Sequence, residues 1–281
     1  MTGAAVPQVV RRRRPCLSFR PAGSNGGGAA GEQAVAHRHA TVAVIGAGDF
    51  IGAAIARRFA AEGFIVYAGR RNGEKLAPLV DAIAAVGGRA EGRTLDARRE
   101  EEITAFLQQA EATAPLAACI FNVGANVSFP FTETTERVFR KVWEMGCYGG
   151  FLAGREAARL MLPRGEGAIF FTGATASMRG AVGFSAFAAA KAGLRAMAQS
   201  AARELWPQNI HVAHLVIDAG VDTAWVRARL RDREGEAAVE ALPPDRLMRP
   251  EAVADAYWAL YTQPRDAWTF EQEIRPYGER W

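Results

Sequence analysis

Cysteine is scarce in this chain. The 281 residues contain Cys16, Cys119 and Cys147, an odd number with no CxxC spacing, which excludes a disulfide framework and a thiolate metal site and fits a reducing, cytoplasmic compartment. No apolar run approaches the ~20 residues that span a bilayer, so no membrane partner is expected. Acid is nearly missing from the first forty residues, where six arginines stand against Glu32. The whole chain carries +4, so the +5 of that segment leaves −1 for residues 41–281. A nearly neutral body lacks the basic face that phosphate backbones require, which argues against nucleic acid as the partner. His211 and His214 lie three apart in the apolar run IHVAHLVI; on a strand that spacing sends them to opposite faces, so no metal site is expected.

Residues 1–40 combine RRRRP with GSNGGGAAG, a composition that cannot bury enough apolar surface to order itself. We read them as a disordered basic, glycine-rich extension, with a targeting segment as the second reading.

From Thr41 onward, short apolar runs alternate with helical patterns. TVAVIG precedes FIGAAIARRFAAEG, FIVYAG precedes EKLAPLVDAIAAVGG, and a third strand ends at Asp96; AACIFNVGA, GAIFFTG and NIHVAHLVID continue the series. A long helical region is predicted from about Glu133 to Leu162. This alternation predicts an α/β fold: a Rossmann-type doubly wound parallel sheet of about seven strands in a single domain, residues 41–281.

Between the first strand and the first helix, VIGAGDFIGAA places Gly46, Gly48 and Gly52, with Phe50 and Ile51 inside the loop. Glycine lets a backbone approach a pyrophosphate, and a helix N-terminus supplies free N–H groups, so this is a candidate dinucleotide loop. At the tip of the second strand an acid would suit the ribose of NAD, whereas arginine matches a 2′-phosphate. The chain has Gly69, Arg70 and Arg71 there. NADP(H) is the expected cofactor, with NAD(H) second.

These residues together resemble the short-chain dehydrogenase/reductase family, and the resemblance spans residues 41–281. Phe50 takes the slot of the family's middle glycine, and Gly48 stands nearby. Asp96, followed by Ala97, matches the aspartate that holds the adenine ring; Asn122 and Gly124 in FNVGA match two positions of an NNAG motif. The resemblance implies an Asn, Ser, Tyr and Lys tetrad, in which tyrosine moves the proton, serine binds the substrate oxygen, lysine holds the ribose and asparagine a relay water. Here only Lys191 remains: Phe187 fills the tyrosine slot, Ala174 the serine slot and Gly146 the asparagine slot. Phe184 likewise occupies the position that an enoyl reductase of the acyl-carrier type gives to tyrosine, and no tyrosine lies between 149 and 256.

The helix AFAAAKAG around Lys191 corresponds to an interface helix of the family, which implies a homo-dimer or homo-tetramer. In IDAGVDT, Thr223 corresponds to a threonine near the nicotinamide, and residues 224–246 to a lid over the substrate, with Trp225 and Leu242 as apolar contacts or packing residues. Two functions stay open. One is an NADP(H)-dependent oxidoreductase acting on a small carbonyl, alcohol or activated enoyl substrate, with the proton coming from water, Tyr148 or a threonine; the dienoyl-CoA reductases of the family also lack the tyrosine. The other is a non-catalytic NADP(H)-binding sensor or partner subunit.

Overall fold

A computed structural model describes residues 36–279. Seven parallel strands form one sheet in the order β3-β2-β1-β4-β5-β6-β7: β1 (Thr41–Ile45), β2 (Ile65–Arg70), β3 (Arg89–Thr94), β4 (Leu116–Phe121), β5 (Gly167–Thr172), β6 (Ile210–Ile217) and β7 (Glu271–Ile274). Helices α1 (Ile51–Ala61), α2 (Ala77–Ala85), α3 (Glu100–Thr113), α4 (Glu136–Trp143), α5 (Gly149–Met161), α6 (Thr175–Met178), α7 (Ser185–Leu205), α8 (Ala224–Glu234), α9 (Glu236–Glu240) and α10 (Pro250–Tyr261) complete it. The expected doubly wound parallel sheet is therefore the fold observed.

Side-chain alternation along the central strands builds two cores. Val42 and Val44 of β1 join Phe59 of α1 and Tyr257 of α10 on one face, while Ala43 and Ile45 join Phe106 of α3, Leu152 of α5 and Leu194 of α7 on the other. Strands covered on both faces are buried throughout, as in β1 and β6. The edges differ: β3 reads RAEGRT and β7 reads EQEI, partly exposed and charged, which blunts further strand pairing.

Strand order reverses at β1, which pairs β2 on one side and β4 on the other. Connections leave these two neighbours on opposite faces, so a crevice opens at the carboxyl ends of β1 and β4.

The long helix expected over 133–162 is interrupted. A π turn, Glu144–Tyr148, separates α4 from α5. Gly146 in this turn, with Gly149 and Gly150 just after it, lowers the local helix propensity, and a widened turn costs least there. The third strand also stops at Thr94, two residues before Asp96.

Residues 36–40 belong to the folded body, although their composition assigned them to the extension. The Arg38 N–H donates to the carbonyl of Gly63, its side-chain Nε to that of Glu62 at 2.7 Å, and its guanidinium lies 4.9 Å from the Phe64 ring centroid. The Ile65 N–H donates to Ala40. The rest of that extension lies outside the described residues. Two or three such contacts are worth about 1–3 kcal/mol together. A chain starting at Thr41 should therefore melt several degrees below one starting at Ala36; equal melting temperatures would show these contacts to be idle.

Candidate active site

The loop after β1 turns back over the end of β4. Gly46 has φ +91°, and a Cβ there would sit 2.7 Å from the carbonyl oxygen of Asn122, so both conformation and space require glycine. At Gly52, inside α1, a Cβ would meet the Gly46 carbonyl at 2.4 Å. Gly48 is different: a Cβ there would meet nothing within 4 Å, so the protein itself does not need glycine at this position. It faces a cleft of about 650 Å³ whose lining includes Asp49, Phe50 and Ile51. Phe50 is the N-cap of α1 with φ −110°, a value that does not demand glycine, and its side chain is partly exposed at the cleft.

The far end of the cleft is basic, holding Arg70, Arg71, Asn72 and Lys75. Arg70 is already engaged: its Nη1 lies 2.5 Å from the carboxylate of Asp49 in the loop. Asp96 and Ala97 line the same cleft. Asp96 is gripped by Arg98 (Nε to Oδ1 2.9 Å, Nη2 to Oδ2 2.5 Å), which holds its carboxyl below the usual range. Thr223 lines the cleft too, but its side chain caps α8 by accepting from the Val226 N–H at 3.1 Å.

Beside the cleft lies a second cavity of about 420 Å³. The two share Ile51, Asn122, Val123 and Gly124. Lys191 stands on its wall, 3% exposed; Nζ donates to the carbonyls of Thr172 at 2.8 Å and Val123 at 3.1 Å. Burial pushes its ammonium down to about 8. Phe187 lies one turn earlier in α7, its ring centroid 5.9 Å from Nζ, and Ala174 also lines the cavity. Gly146 lines neither space: it falls in the π turn, where a Cβ would lie 3.1 Å from the Cβ of Ala190. Tyr148, a candidate donor from sequence, also lies away from both, its ring stacked between Trp143 and Phe151. In the lid, Trp225 is half exposed and Leu242 packs on a small cluster with Leu230, Val239 and Leu247; neither lines the cavity.

The two threonines that line the cavity, Thr172 and Thr175, have committed protons. Thr172 Oγ1 donates to Asn122 Oδ1 at 3.0 Å and lies 2.6 Å from the Tyr257 hydroxyl, while Asn122 Nδ2 donates to Gly46. Thr175 donates to Asp218. Tyr257 comes from α10, over 60 residues beyond Lys191 in the chain, and no spacing signal pointed to it.

The histidines also have partners that sequence could not name. His211 stacks on Trp268 with ring centroids 4.8 Å apart. His214 is fully buried: Nδ1 is 3.0 Å from Glu271 Oε2, and Nε2 is 3.4 Å from Ser177 Oγ, which accepts from the Ala174 N–H. Arg195 of α7 clamps Glu271 from the other side. This chain fixes the start of α6, and hence the cavity wall, to β6 and β7.

A switch-point crevice with a glycine-lined helix N-terminus, joined to a second cavity holding a buried lysine, defines a dinucleotide-binding α/β protein. The family model for short chain dehydrogenase matches residues 40–234, and the chain belongs to that family. The 3-oxoacyl-[acyl-carrier-protein] reductase MabA of Mycobacterium tuberculosis is 30% identical over 215 residues, covering 76% of this chain and 82% of that protein. The crystal structure of a short-chain dehydrogenase from Rhodopseudomonas palustris is 63% identical, with a TM-score of 0.74, and covers 85% of this chain and 100% of that one. The alcohol dehydrogenase of Thermococcus sibiricus, solved with 5-hydroxy-NADP, shares the fold at 21% identity (TM-score 0.73; 85% and 97% covered). Among the described residues no helix is long and apolar enough to cross a membrane.

The histidine relay carries a pH signature. Burial holds His214 down to about 4 against Glu271, which pulls the other way. Between pH 6.5 and 4 the unfolded chain binds a proton that the folded chain refuses, so stability falls as pH falls through this window, by up to ~1.4 kcal/mol per pH unit. Glu271, itself held below the usual carboxylate range, adds to the loss at the acid end. Urea titrations from pH 7 to 4 should show this slope, and a flat profile would mean that His214 is protonated in the fold.

Proposed function

We propose that the chain is an NADP(H)-dependent oxidoreductase acting on a small carbonyl or alcohol, with Lys191 as the proton-holding group in place of tyrosine. The observation that carries this reading is the junction: cleft and cavity share Asn122, Val123 and Gly124, and Lys191 hydrogen-bonds the backbone there. NADPH, when bound, supplies the hydride that reduces a carbonyl carbon.

The residues present fit that cofactor. Gly48 faces open space, and Gly124 does as well. Asp96 keeps lone pairs beyond those used by Arg98, and the backbone of Ala97 lies beside it in the cleft. Arg71 and Lys75 are the cations for a 2′-phosphate, with Arg70 shared between that phosphate and Asp49. Since Asp49 is 64% exposed, its ion pair is weak and easily exchanged. The solved relative with 5-hydroxy-NADP supports this preference.

Of the side chains at the site, Lys191 is the one placed to deliver the proton. Phe187 and Ala174 carry no exchangeable side-chain proton, and the hydroxyl protons of Thr172 and Thr175 belong to Asn122 and Asp218. Lys191 has three N–H groups, of which two serve backbone carbonyls. The third is free to protonate the substrate oxygen, and an ammonium near pH 8 is matched to neutral operation. Solvent then restores the proton. The exposed aromatic stripe Phe139, Trp143 and Phe151 along α4 and α5 supports a homo-dimer or homo-tetramer.

NADPH should bind at least about tenfold more tightly than NADH, the ratio that one charge-assisted contact gives. Fluorescence titration should show Arg71→Ala narrowing that gap and Asp49→Asn widening it several-fold by releasing Arg70; an unchanged ratio in both variants would place the phosphate elsewhere. Carbonyl reduction, followed by nicotinamide absorbance, should fall as pH rises through about 8, where Lys191 loses its proton. Lys191→Met should abolish turnover. NADPH binding with no turnover of any carbonyl, alcohol or enoyl substrate by the unaltered protein would return the chain to the non-catalytic reading.

A further inference from the structure

The charged side chains on the walls of the second cavity are all cationic. Its charged lining residues are Arg179 and Lys191, and no Asp or Glu lines it. Much of the remaining wall is apolar, including Ala181, Phe184, Phe187 and Val221.

Arg179 follows α6 at the mouth. Its Nη2 donates to both oxygens of Asp218 at 3.1 Å, and its side chain is 57% exposed against 2% for Asp218. Asp218 cannot shift toward or away from it, because Arg275 holds the same carboxylate at 2.8 and 2.6 Å and Thr175 donates to it. One corner of the Arg179 guanidinium is thus fixed from behind. Its Nε and Nη1 have no hydrogen-bond partner among the described residues. Asp218 is shared by two arginines, and Glu273, the other carboxylate on Arg275, does not line the cavity.

A guanidinium held at one corner keeps its charge and its other donors for an anion: Nε and Nη1 lie on different edges, so a carboxylate in the cavity accepts a single charge-assisted hydrogen bond from one of them. An Arg179 placed only to hold Asp218 would be redundant beside Arg275. Beyond it, Arg229 of α8 lies 5.2 Å from the Phe184 ring and 5.5 Å from the Trp225 ring, so the mouth adds a second cation to the field met by an entering ligand.

We propose that Arg179 is the substrate anchor and that the substrate is a small carbonyl or alcohol that also bears a carboxylate, its apolar part lying against Phe184 and Phe187. The proposal rests on the reading of this cavity as the substrate site of a dehydrogenase. It sets the substrate class apart from neutral ketones and from thioesters whose charge lies far from the carbonyl.

Equilibrium binding tests it without relying on turnover. 3-Phenylpropionate and its primary amide, 3-phenylpropionamide, share size and apolar part and differ in charge. Ligand-observed NMR titration of the full chain, with and without NADP⁺, should give at least tenfold tighter binding of the carboxylate. Arg179→Gln should bring the two to equal affinity, and Arg179→Lys should restore part of the preference; Arg179 is exposed, so both variants should melt with the parent protein. Equal binding by the parent, a preference that survives Arg179→Gln, or no binding of either probe would overturn the anchor. NADPH titration of the same samples separates the two claims. NADPH bound with no carboxylate preference removes the anchor alone, whereas a preference that depends on Arg179 in a protein that binds no NADPH removes the dehydrogenase reading and leaves an anion-binding cavity.

Discussion

A single buried ammonium ties the site together. Lys191 donates to carbonyls that follow β4 and end β5, Val123 and Thr172, from a position one turn beyond Phe187 in α7. An ammonium without acceptors in such a place would be prohibitively costly, so the strand ends must present those two carbonyls at one point. The same strand ends carry Asn122 and the Thr172 side chain, which pass the constraint on to the Gly46 carbonyl and to Tyr257. One cation therefore registers the glycine loop, the cleft and the second cavity against each other. Burial also brings its pKa down to about 8, the range that the proposed proton donor requires.

Around this point nearly every acid is matched to an arginine. Asp49 faces Arg70, Asp96 faces Arg98, Asp218 faces Arg179 and Arg275, and Glu271 faces Arg195. These pairs matter less for stability than for placement, because each fixes a guanidinium or a carboxylate at a chosen edge of the site. The charged side chains lining cleft and cavity are mostly cationic, Arg70, Arg71, Lys75, Arg179 and Lys191 against Asp49 and Asp96. Anionic ligands suit such walls, a pyrophosphate on one side and a carboxylate on the other.

The positions that the family resemblance assigns to acid–base groups are built into the packing. Phe187, with Ala186 and Ala190, packs into a small cluster with Ala125, Val142 and Cys147, and the turn that would carry an asparagine is a π turn closed against α7. Ala174 keeps its backbone role, its N–H held by Ser177 through the His214 and Glu271 relay. The wall at Ala174 is tied through this relay to β6 and β7. In the proposed reaction, chemistry here is left to positioning, to a cofactor and to the lysine.

The sequence by itself determined the fold, because buried parallel strands must be continuous apolar runs and the alternating helices must cover them. It also determined the glycine loop, whose Gly46 and Gly52 are dictated by backbone contacts under 3 Å, and it puts Phe187, which has no phenol, four residues before Lys191, where the family resemblance expects tyrosine. What it left undecided lies in side chains that meet across long separations. Tyr257 reaches Thr172 across 85 residues, Glu271 reaches His214 across 57, and Arg275 reaches Asp218 across 57. Nothing in local periodicity encodes such pairs, since helix and strand patterns report which face a residue takes and not what arrives on the other side of it. The tertiary structure alone showed that Tyr148 turns away, that both threonines have spent their protons, and that Arg179 stands braced at the cavity mouth, because only packing brings donor and acceptor within 3 Å and so decides which groups remain free to act.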